Sequence, residues 1–469
     1  MKKKYVRWTL WTIASPFILF IILCILIYLP PIQNFLVDKA AVYASEATGM
    51  NISVGRISLS FPLNLVVTNV DAASPHNDTL LSVRRLQVNV QLLPLLKKQV
   101  EVDGISLQGA TVNSNDLIHG MKLNGTLGEL FISSHGVALD PETAIVNKVL
   151  LKDTDLSLCL NDTAAADTAA SDTTYWKIIL QDIDLQNVSF ALDMPLDSLS
   201  LAASLDNAIL RDGLIDLHKS AYSLQTFRIE NGRVRYDNGK PLAADSLSSG
   251  LDPSHIALTD IGVKLDSLYY GGRNMKAIIS QFVLKERSGV EIVSATGRMV
   301  SNDKVLRVPS LKLETRDSYL ELNAAMDWNA LDFKDEGLVS ARLMADIGKP
   351  DVVRFMGSMD EKFIRQYPSE PLRIRTGIDG DLNKLKLTTL TAELPGALGL
   401  FARGELTHLT DSLLRGGDIT LEAETKDLKF VSTLAEGIEI PYGTRLEGKF
   451  TMAGTKICLL YTSPSPRDA

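Results

Sequence analysis

The sequence predicts a mostly β protein with a single N-terminal transmembrane helix. We expect the body to be an elongated, curved, antiparallel-type sheet shaped like a groove, with few short helices. Two observations predict this fold class. An uncharged apolar run near the N-terminus has the length of a membrane span, and most of the remaining chain alternates apolar and polar residues with a period of two.

The membrane helix is predicted over residues 8–29, because roughly 20 apolar residues cross the ~30 Å hydrocarbon core. Basic residues before this run favour a cytoplasmic N-terminus by the positive-inside rule: Lys2, Lys3, Lys4 and Arg7. The aromatic residues expected to anchor the helix in the membrane are Trp8, Trp11, Phe17, Phe20 and Tyr28. A cleaved signal peptide is the alternative, but its apolar region is shorter, and the run ends in Pro30–Pro31 without a small-residue cleavage site.

A short helix is predicted next, from Ile32 to about Thr48, with Gly49 as its C-terminal stop. Alternating strands then begin with Ile57–Val67 and Leu86–Leu92 and continue from Val100. Asp103–Gly104 indicates a turn or bulge. Further strands are predicted at Val149–Leu160, Ile178–Leu192, Phe227–Tyr236, Ile256–Leu265, Met275–Leu284, Leu320–Trp328, Val339–Ile347 and Ile419–Ala423.

Residues 161–174 are built mainly from Asp, Thr, Ala and Ser, which is typical of an exposed loop or linker. They divide an N-terminal β module, residues 32–160, from a β-rich body, residues 175–457. One amphipathic helix is predicted within that body, from Val352 to Tyr367. Residues 458–469 resemble the translated read-through of a transposase sequencing adapter, with a disordered Pro/Ser tail as the alternative.

Two weak internal repeats run through the chain. The first aligns Leu107–Val112 with Leu185–Phe190 and Leu151–Leu156, and each copy has a turn-prone residue inside an alternating run. The second places a glycine on the apolar side of a strand just before a charged residue, at Gly297, Gly380, Gly404 and Gly448. Inward glycines permit sharp twist or leave room for a ligand.

The sequence contains no recognisable catalytic or metal-binding constellation. The six histidines show no ligand spacing such as HExxH, so we expect each to lie on the surface or in a loop. No CxxC pair exists. We therefore expect no catalytic residues, no metal, no cofactor and no enzyme activity. The net charge of −8, with basic residues spread along the body, argues against a nucleic-acid partner.

The apolar side of the predicted strands is the candidate functional surface. An aliphatic sheet face must pack against another layer, close into a barrel or bind an apolar ligand, and few helices are available to cover it. A packed β-sandwich is the alternative to an open face that shields acyl chains from water. The candidate lipid-binding positions are Leu59, Leu63, Leu65, Val88 and Val90.

Several segments resemble the N-terminal region of AsmA-like proteins: Ala44–Gly49, Ile57–Leu65, Leu93–Leu96 and Val100–Gly109. Others resemble the TamB branch of that family as found in Bacteroidetes-type bacteria: Asp252–Asp260, Leu284–Gly289 and Arg365–Pro368. The resemblance implies a bacterial inner-membrane protein with a periplasmic body and a hydrophobic β-groove that reaches toward the outer membrane. Because these motifs are structural, they indicate the family rather than a mechanism.

The strand pattern and the resemblance together support two functions. The first is an inner-membrane-anchored periplasmic bridge that carries phospholipid between membranes for outer-membrane biogenesis, with the inner membrane and acyl chains as partners. The second is a TamB-type factor for translocation and assembly of outer-membrane and secreted proteins, in which strand edges bind a client by β-augmentation. The resemblance also implies an outer-membrane barrel assembly protein as a partner, contacted through a C-terminal region beyond this sequence.

Overall fold

The computed structural model describes residues 39, 41–42, 45–46, 49–60, 64–74, 78–91, 102–114, 120–138, 142–161, 175–239, 250–333, 337–356, 361–433, 442–453 and 456–462. Most of these residues are in β-strands, and the helices are few and short. The chain divides into two compact units, residues 1–207 and residues 208–469. The division falls within a single long strand, Leu199–Asp216.

The first unit contains seven complete strands that pair in chain order. They are β1 (Asn51–Ser60), β2 (Asn64–Ala73), β3 (Thr79–Val90), β4 (Val102–Asn113), β5 (Met121–Ala138), β6 (Thr143–Leu160) and β7 (Lys177–Met194). Neighbours from β1 to β6 are antiparallel, whereas β7 lies parallel to β6. A parallel neighbour needs a connection of about a dozen residues or more, and the predicted linker 161–174 lies between these two strands in the chain. The sheet is therefore mixed rather than antiparallel throughout.

The strands of the second unit vary widely in length. They are β8 (Leu199–Asp216, shared with the first unit), β9 (Ala221–Leu224), β10 (Thr226–Asp237), β11 (His255–Gly271), β12 (Asn274–Glu286), β13 (Glu291–Ser301), β14 (Val305–Thr315), β15 (Tyr319–Asp327), β16 (Leu338–Ile347), β17 (Leu372–Asp381), β18 (Lys384–Leu394), β19 (Leu398–Thr407), β20 (Gly416–Thr425), β21 (Arg445–Ala453) and β22 (Lys456–Thr462). From β10 to β22 each strand pairs antiparallel with the next. Strand β9 pairs with β8 and β11.

Among the described residues of the second unit, three short α-helices interrupt the strands: α1 (Trp328–Leu331), α2 (Lys349–Phe355) and α3 (Glu361–Gln366). Single 3-10 turns lie at Pro195–Asp197 and Val431–Thr433. The single helix predicted from Val352 to Tyr367 is wrong, because α2 ends at Phe355 and a separate α3 follows. Gly357 comes directly after the cap of α2, and glycine disfavours helix.

The predicted helix before Gly49 is described only in part. Residues 39, 41, 42, 45 and 46 are helical, while residues 32–38 lie outside the described residues. Gly49 has φ of 69°, and its N–H donates to the carbonyl oxygen of Ser45 at 2.9 Å. This left-handed residue is the predicted C-terminal stop, since glycine takes positive φ without steric cost.

The predicted transmembrane helix is not found. Within the part of the chain that the structure describes, no helix is long and apolar enough to cross a membrane. Helices α1, α2 and α3 contain 4, 7 and 6 residues, whereas a span needs roughly 20. The predicted fold class with its transmembrane helix is therefore contradicted, and so is the single-pass inner-membrane location with a cytoplasmic N-terminus and a periplasmic body. The structure shows a mostly β chain with mixed strand pairing and few helices.

The residues on which the predicted anchor depended cannot be compared with the structure. The apolar run 8–29, its aromatic residues and its basic flank lie outside the described residues: Lys2, Lys3, Lys4, Arg7, Trp8, Trp11, Phe17, Phe20 and Tyr28. At the other end of the chain, residues 456–462 form β22 and pair with β21. Residues 463–469 lie outside the described residues as well.

Most predicted strands are present, but the first is not one strand. The alternating run Ile57–Val67 is a hairpin, in which β1 ends at Ser60 and β2 begins at Asn64. Residues 61–63, between the two strands in the chain, lie outside the described residues. The strand predicted to reach Trp328 ends one residue earlier, at Asp327, because Trp328 is the first residue of α1. At Asp103–Gly104 the expected bulge is confirmed, since Asn89 pairs with Gly104 while Val90 pairs with Val102.

Candidate functional site

Three of the predicted lipid-binding positions lie side by side in the first unit. Leu59 of β1 pairs with Leu65 of β2, and Leu65 pairs with Val88 of β3. Val90 lies two residues further along β3, opposite Val102, and so points to the same face. Leu63 lies outside the described residues. The hairpin thus brings Leu59 and Leu65 together across two strands.

This row continues across all seven strands of the first unit. Its members are aliphatic throughout: Leu59, Leu65, Val88, Ile105, Ile132, Val149 and Ile183. A second row lies two residues away along each strand and is also aliphatic: Ile57, Val67, Leu86, Leu107, Leu130, Leu151 and Leu185. Side chains alternate between the two sides of a strand, so both rows lie on one side of the sheet. We call these two rows the aliphatic face.

Every residue of the aliphatic face is partly exposed. Packed apolar side chains in the second unit are far less exposed: Phe363 and Leu394, which belong to one buried cluster, keep only 2% and 4% of their surface exposed. Apolar side chains under a second layer are normally buried to that extent. Among the described residues, therefore, no packed layer closes over the aliphatic face.

The opposite side of the same strands is mostly polar. The row one residue beyond the second aliphatic row consists of Arg56, Thr68, Arg85, Gln108, Glu129, Lys152 and Gln186, and the row between the two aliphatic rows is mixed: Ser58, Val66, Gln87, Ser106, Phe131, Leu150 and Asp184. On β3, Arg85 Nη2 donates to Gln87 Oε1 at 3.2 Å, and Gln87 Nε2 donates to Asn89 Oδ1 at 3.0 Å. The sheet of the first unit therefore has one side suited to water and one suited to apolar matter.

Left-handed residues interrupt these strands just beyond the second aliphatic row. They are Asn69, Gly109, Asp153 and Asn187, with φ of 53°, 62°, 49° and 51°. Three of them are the turn-prone residues of the first predicted repeat, whose leading leucines share the second row. A bulge residue shifts the alternation by one position. The apolar sequence accordingly steps by three across the bulge, from Leu107 to Ala110, instead of by two.

The second unit carries a similar apolar side. One row is made of small and large aliphatic residues: Leu313, Leu320, Ala345, Ile374, Ala392, Leu400, Ala423 and Leu446. The other side of these strands carries ion pairs between neighbouring strands. Lys384 Nζ lies 3.0 Å from Glu405 Oε1, and Lys449 Nζ lies 3.0 Å from Asp418 Oδ2. Exposed pairs of this kind add little stability but keep that side hydrated.

The inward glycines of the second repeat lie on the apolar side, as predicted. Gly404 sits between Leu387 and Ile419 in one cross-strand row. A Cβ atom at Gly404 would stand 2.1 Å from the carbonyl oxygen of Asp418, so backbone occupies the space. At Gly380, with φ of 140°, a Cβ atom would stand 2.1 Å from the carbonyl oxygen of Lys384. Backbone therefore fills the space in front of Gly404 and Gly380, which leaves no room for a ligand there and differs from both predicted roles.

Helices α2 and α3 cover the strand ends at one side of the second unit. Phe363 and Tyr367 pack with Leu394, Ala397 and Phe430 in a buried cluster. The ring centroids of Tyr367 and Phe430 are 5.1 Å apart in an edge-on arrangement. Burial raises the pKa of the Tyr367 hydroxyl. Because Leu394 ends β18, the cluster closes the apolar side at this end.

A buried carboxylate fixes α2 to the turn between β14 and β15. Asp351 keeps 1% of its surface exposed and accepts hydrogen bonds from Ser318 Oγ at 2.6 Å, from Arg354 Nη1 at 3.0 Å and from Thr315 Oγ1. Arg354 also contacts Asp317 at 2.8 Å. Burial by itself lowers the pKa of Arg354, but its hydrogen bonds to Asp317 and Asp351 outweigh that effect and the pKa is raised.

One histidine is buried, which corrects the expectation that all six lie on the surface or in loops. His255 keeps 7% of its surface exposed, and its Nδ1 lies 2.8 Å from Asp252 Oδ2. This hydrogen bond lowers the pKa of Asp252, helped by the N–H of Ser254 at 2.9 Å. The segment from Asp252 therefore forms a hydrogen-bonded turn that leads into β11. In the described parts of the chain, no cluster of His, Cys, Asp and Glu could hold a metal ion.

The aliphatic face defines what the site can do chemically. It offers no hydrogen-bonding side chain, so a ligand would be held by burial of apolar area and could take many positions along the rows. No protein-family model matches the chain, and no curated protein is similar to it.

Proposed function

We propose that the chain binds phospholipid acyl chains on the aliphatic face of β1–β7 and carries phospholipid between membranes. One observation supports this above the others: two unbroken aliphatic rows cross seven strands and remain partly exposed. Exposed apolar area of this extent marks a binding surface in many proteins. The sequence resemblance to AsmA-like, TamB-type proteins supports the same proposal.

The dimensions of the rows suit an acyl chain. Neighbouring strands lie ~4.8 Å apart, so a row across seven strands is about 29 Å long. One leaflet contributes about half of the ~30 Å hydrocarbon core of a bilayer. One row is therefore long enough to hold a single acyl chain along the chain's whole length. Each methylene removed from water contributes ~0.8 kcal/mol, and no polar side chain fixes the register, so the chain can slide.

A lipid-transfer measurement tests this proposal. Donor vesicles carry a fluorescent phospholipid, acceptor vesicles carry none, and transfer is followed with the full chain present. The double variant Leu65→Glu, Val88→Glu places charges on the aliphatic face, where they disfavour acyl chains. The control Thr68→Glu, Gln87→Glu places the same charges on the polar side of the same strands.

We expect the aliphatic-face variant to lose transfer and the control to retain it. Both variants keep the N-terminal apolar run, so any lipid binding by that run cancels in the comparison. Equal transfer by the two variants, or no transfer by the unmodified chain, contradicts the proposal.

Assembly of outer-membrane or secreted proteins is a second candidate, favoured by the edge of the first unit. Within that unit β1 pairs with β2 alone among the described strands. An edge strand of this kind can accept an added strand from a client. Under this alternative, loss of the gene depletes particular barrel proteins before lipid distribution changes, whereas the lipid proposal requires the opposite order.

A further inference from the structure

Three turns at the same end of the second unit's strands expose large apolar side chains. The first turn follows β11 and is flanked by Tyr270 at the end of that strand and by Tyr222 of the paired strand β9, which are 47% and 40% exposed and stack with ring centroids 6.2 Å apart. The second carries Leu331 and Phe333, 39% and 77% exposed, and the third carries Leu413 and Leu414, 82% and 64% exposed. Strands β11, β15 and β19 all run toward these turns. We call the three turns the apolar rim.

The leucines of the third turn are held outward by an ordered backbone. Asp411 Oδ1 accepts hydrogen bonds from the N–H groups of Leu413 at 2.8 Å and Leu414 at 3.2 Å. The N–H of Arg415 donates to the carbonyl oxygen of Asp411 at 2.9 Å. Leu409 donates to the carbonyl oxygen of Leu382, which ties the turn to its neighbour. The exposure of the two leucines is therefore built into the turn.

The arrangement of the rim fits a lipid bilayer better than a protein surface. The turns after β15 and β19 are four strand positions apart, or about 19 Å, and the polar turn Asp381–Lys384 lies between them. Separate protruding tips require a partner that deforms around them, as the headgroup region of a bilayer does. Tyrosine and tryptophan prefer that region, and Arg273 lies 5.2 Å above the ring of Trp328 beside the second turn.

A cation beside the leucines points to phosphate headgroups. Arg415 follows Leu414 directly and is partly exposed. A guanidinium group binds phosphate oxygens through its N–H donors. We infer that the apolar rim inserts into the headgroup region of a phospholipid bilayer, with Leu413 and Leu414 entering the apolar layer and Arg415 binding phosphate. This contact goes beyond the proposed function, because it does not require lipid on the aliphatic face.

A site-specific fluorescence measurement on the full chain tests this inference. In a background with Cys24→Ser, Cys159→Ser and Cys458→Ser, an environment-sensitive dye is attached at Leu414→Cys. The matched control carries the dye at Phe355→Cys, which is 56% exposed but lies at the end of α2, away from the rim. Vesicles of phosphatidylethanolamine and phosphatidylglycerol contain a spin-labelled lipid that quenches dyes within the bilayer.

We expect quenching at position 414 and none at position 355. Adding Leu413→Ser should weaken vesicle binding of the rim by about tenfold, since much of a leucine's burial energy is lost. Equal quenching at both positions, or none at position 414, overturns the inference. A vesicle-independent blue shift at position 414 that grows with protein concentration also overturns it, because a second copy then covers the rim. Loss of lipid transfer in the aliphatic-face variant leaves these outcomes unchanged.

Discussion

Single residues decide how closely the strands of this protein approach one another. Gly404 and Gly399 lie on the same strand, β19, yet their surroundings differ. At Gly404 a Cβ atom would stand 2.1 Å from the carbonyl oxygen of Asp418 and 2.6 Å from Ile419 Cα, whereas at Gly399 no atom lies within 4 Å. The first glycine is required by backbone contact, and the second is not.

We predict that Gly404→Ala destabilises the second unit by about 1–3 kcal/mol, the usual cost of overpacking. Gly399→Ala should be neutral or stabilise the unit by about 0.5 kcal/mol, because alanine loses less conformational entropy on folding. Thermal unfolding of the two variants measures the difference. If both alanines are tolerated equally, the close approach of β19 and β20 at Gly404 is not real.

At the scale of the element, the short helices depend on one buried carboxylate. Asp351 accepts hydrogen bonds from Ser318 and Arg354 while it is almost fully buried. Without it, the hydroxyls of Thr315 and Ser318 would lose their acceptor, and Arg354 would keep only its contact with Asp317. Helix α2 would then be held mainly by the apolar cluster around Phe363.

We predict that Asp351→Ala lowers the free energy of local opening of α2 and α3 by about 1–3 kcal/mol, because the hydroxyls of Thr315 and Ser318 lose a buried acceptor while Arg354 keeps its pair with Asp317. The control is Glu361→Ala, which removes the exposed Glu361–Arg365 pair of α3 and should cost no more than about 0.5 kcal/mol. Amide hydrogen exchange in the two helices measures both values. Unchanged protection in the Asp351 variant contradicts this role.

The sequence predicted individual strands well but not their pairing. Phe227–Tyr236 matches β10, Thr226–Asp237, because the period of two is a local signal. The hairpin of β1 and β2 was missed, since alternation continues through Phe61–Pro62–Leu63. The partners of Leu59 beyond β3, such as Ile105 and Ile183, could not be named, because register between strands depends on non-local contacts.

At the scale of the whole molecule, the same division into an apolar and a polar side appears in both units. In the first unit the apolar side is the aliphatic face, and in the second it is interrupted by glycines and covered at one end by α2 and α3. The alternative of a packed β-sandwich would require a second layer over these rows. Within the described residues that layer is absent over the aliphatic face, where every side chain remains partly exposed.

Site-specific photocrosslinking to phospholipid tests the central claim most directly. A photoreactive amino acid is placed at Val88 on the aliphatic face and, in a matched chain, at the adjacent Gln87 on the polar side. We predict a phospholipid adduct at position 88 and none at position 87. Adducts at both positions, or at neither, contradict binding of acyl chains by the aliphatic face.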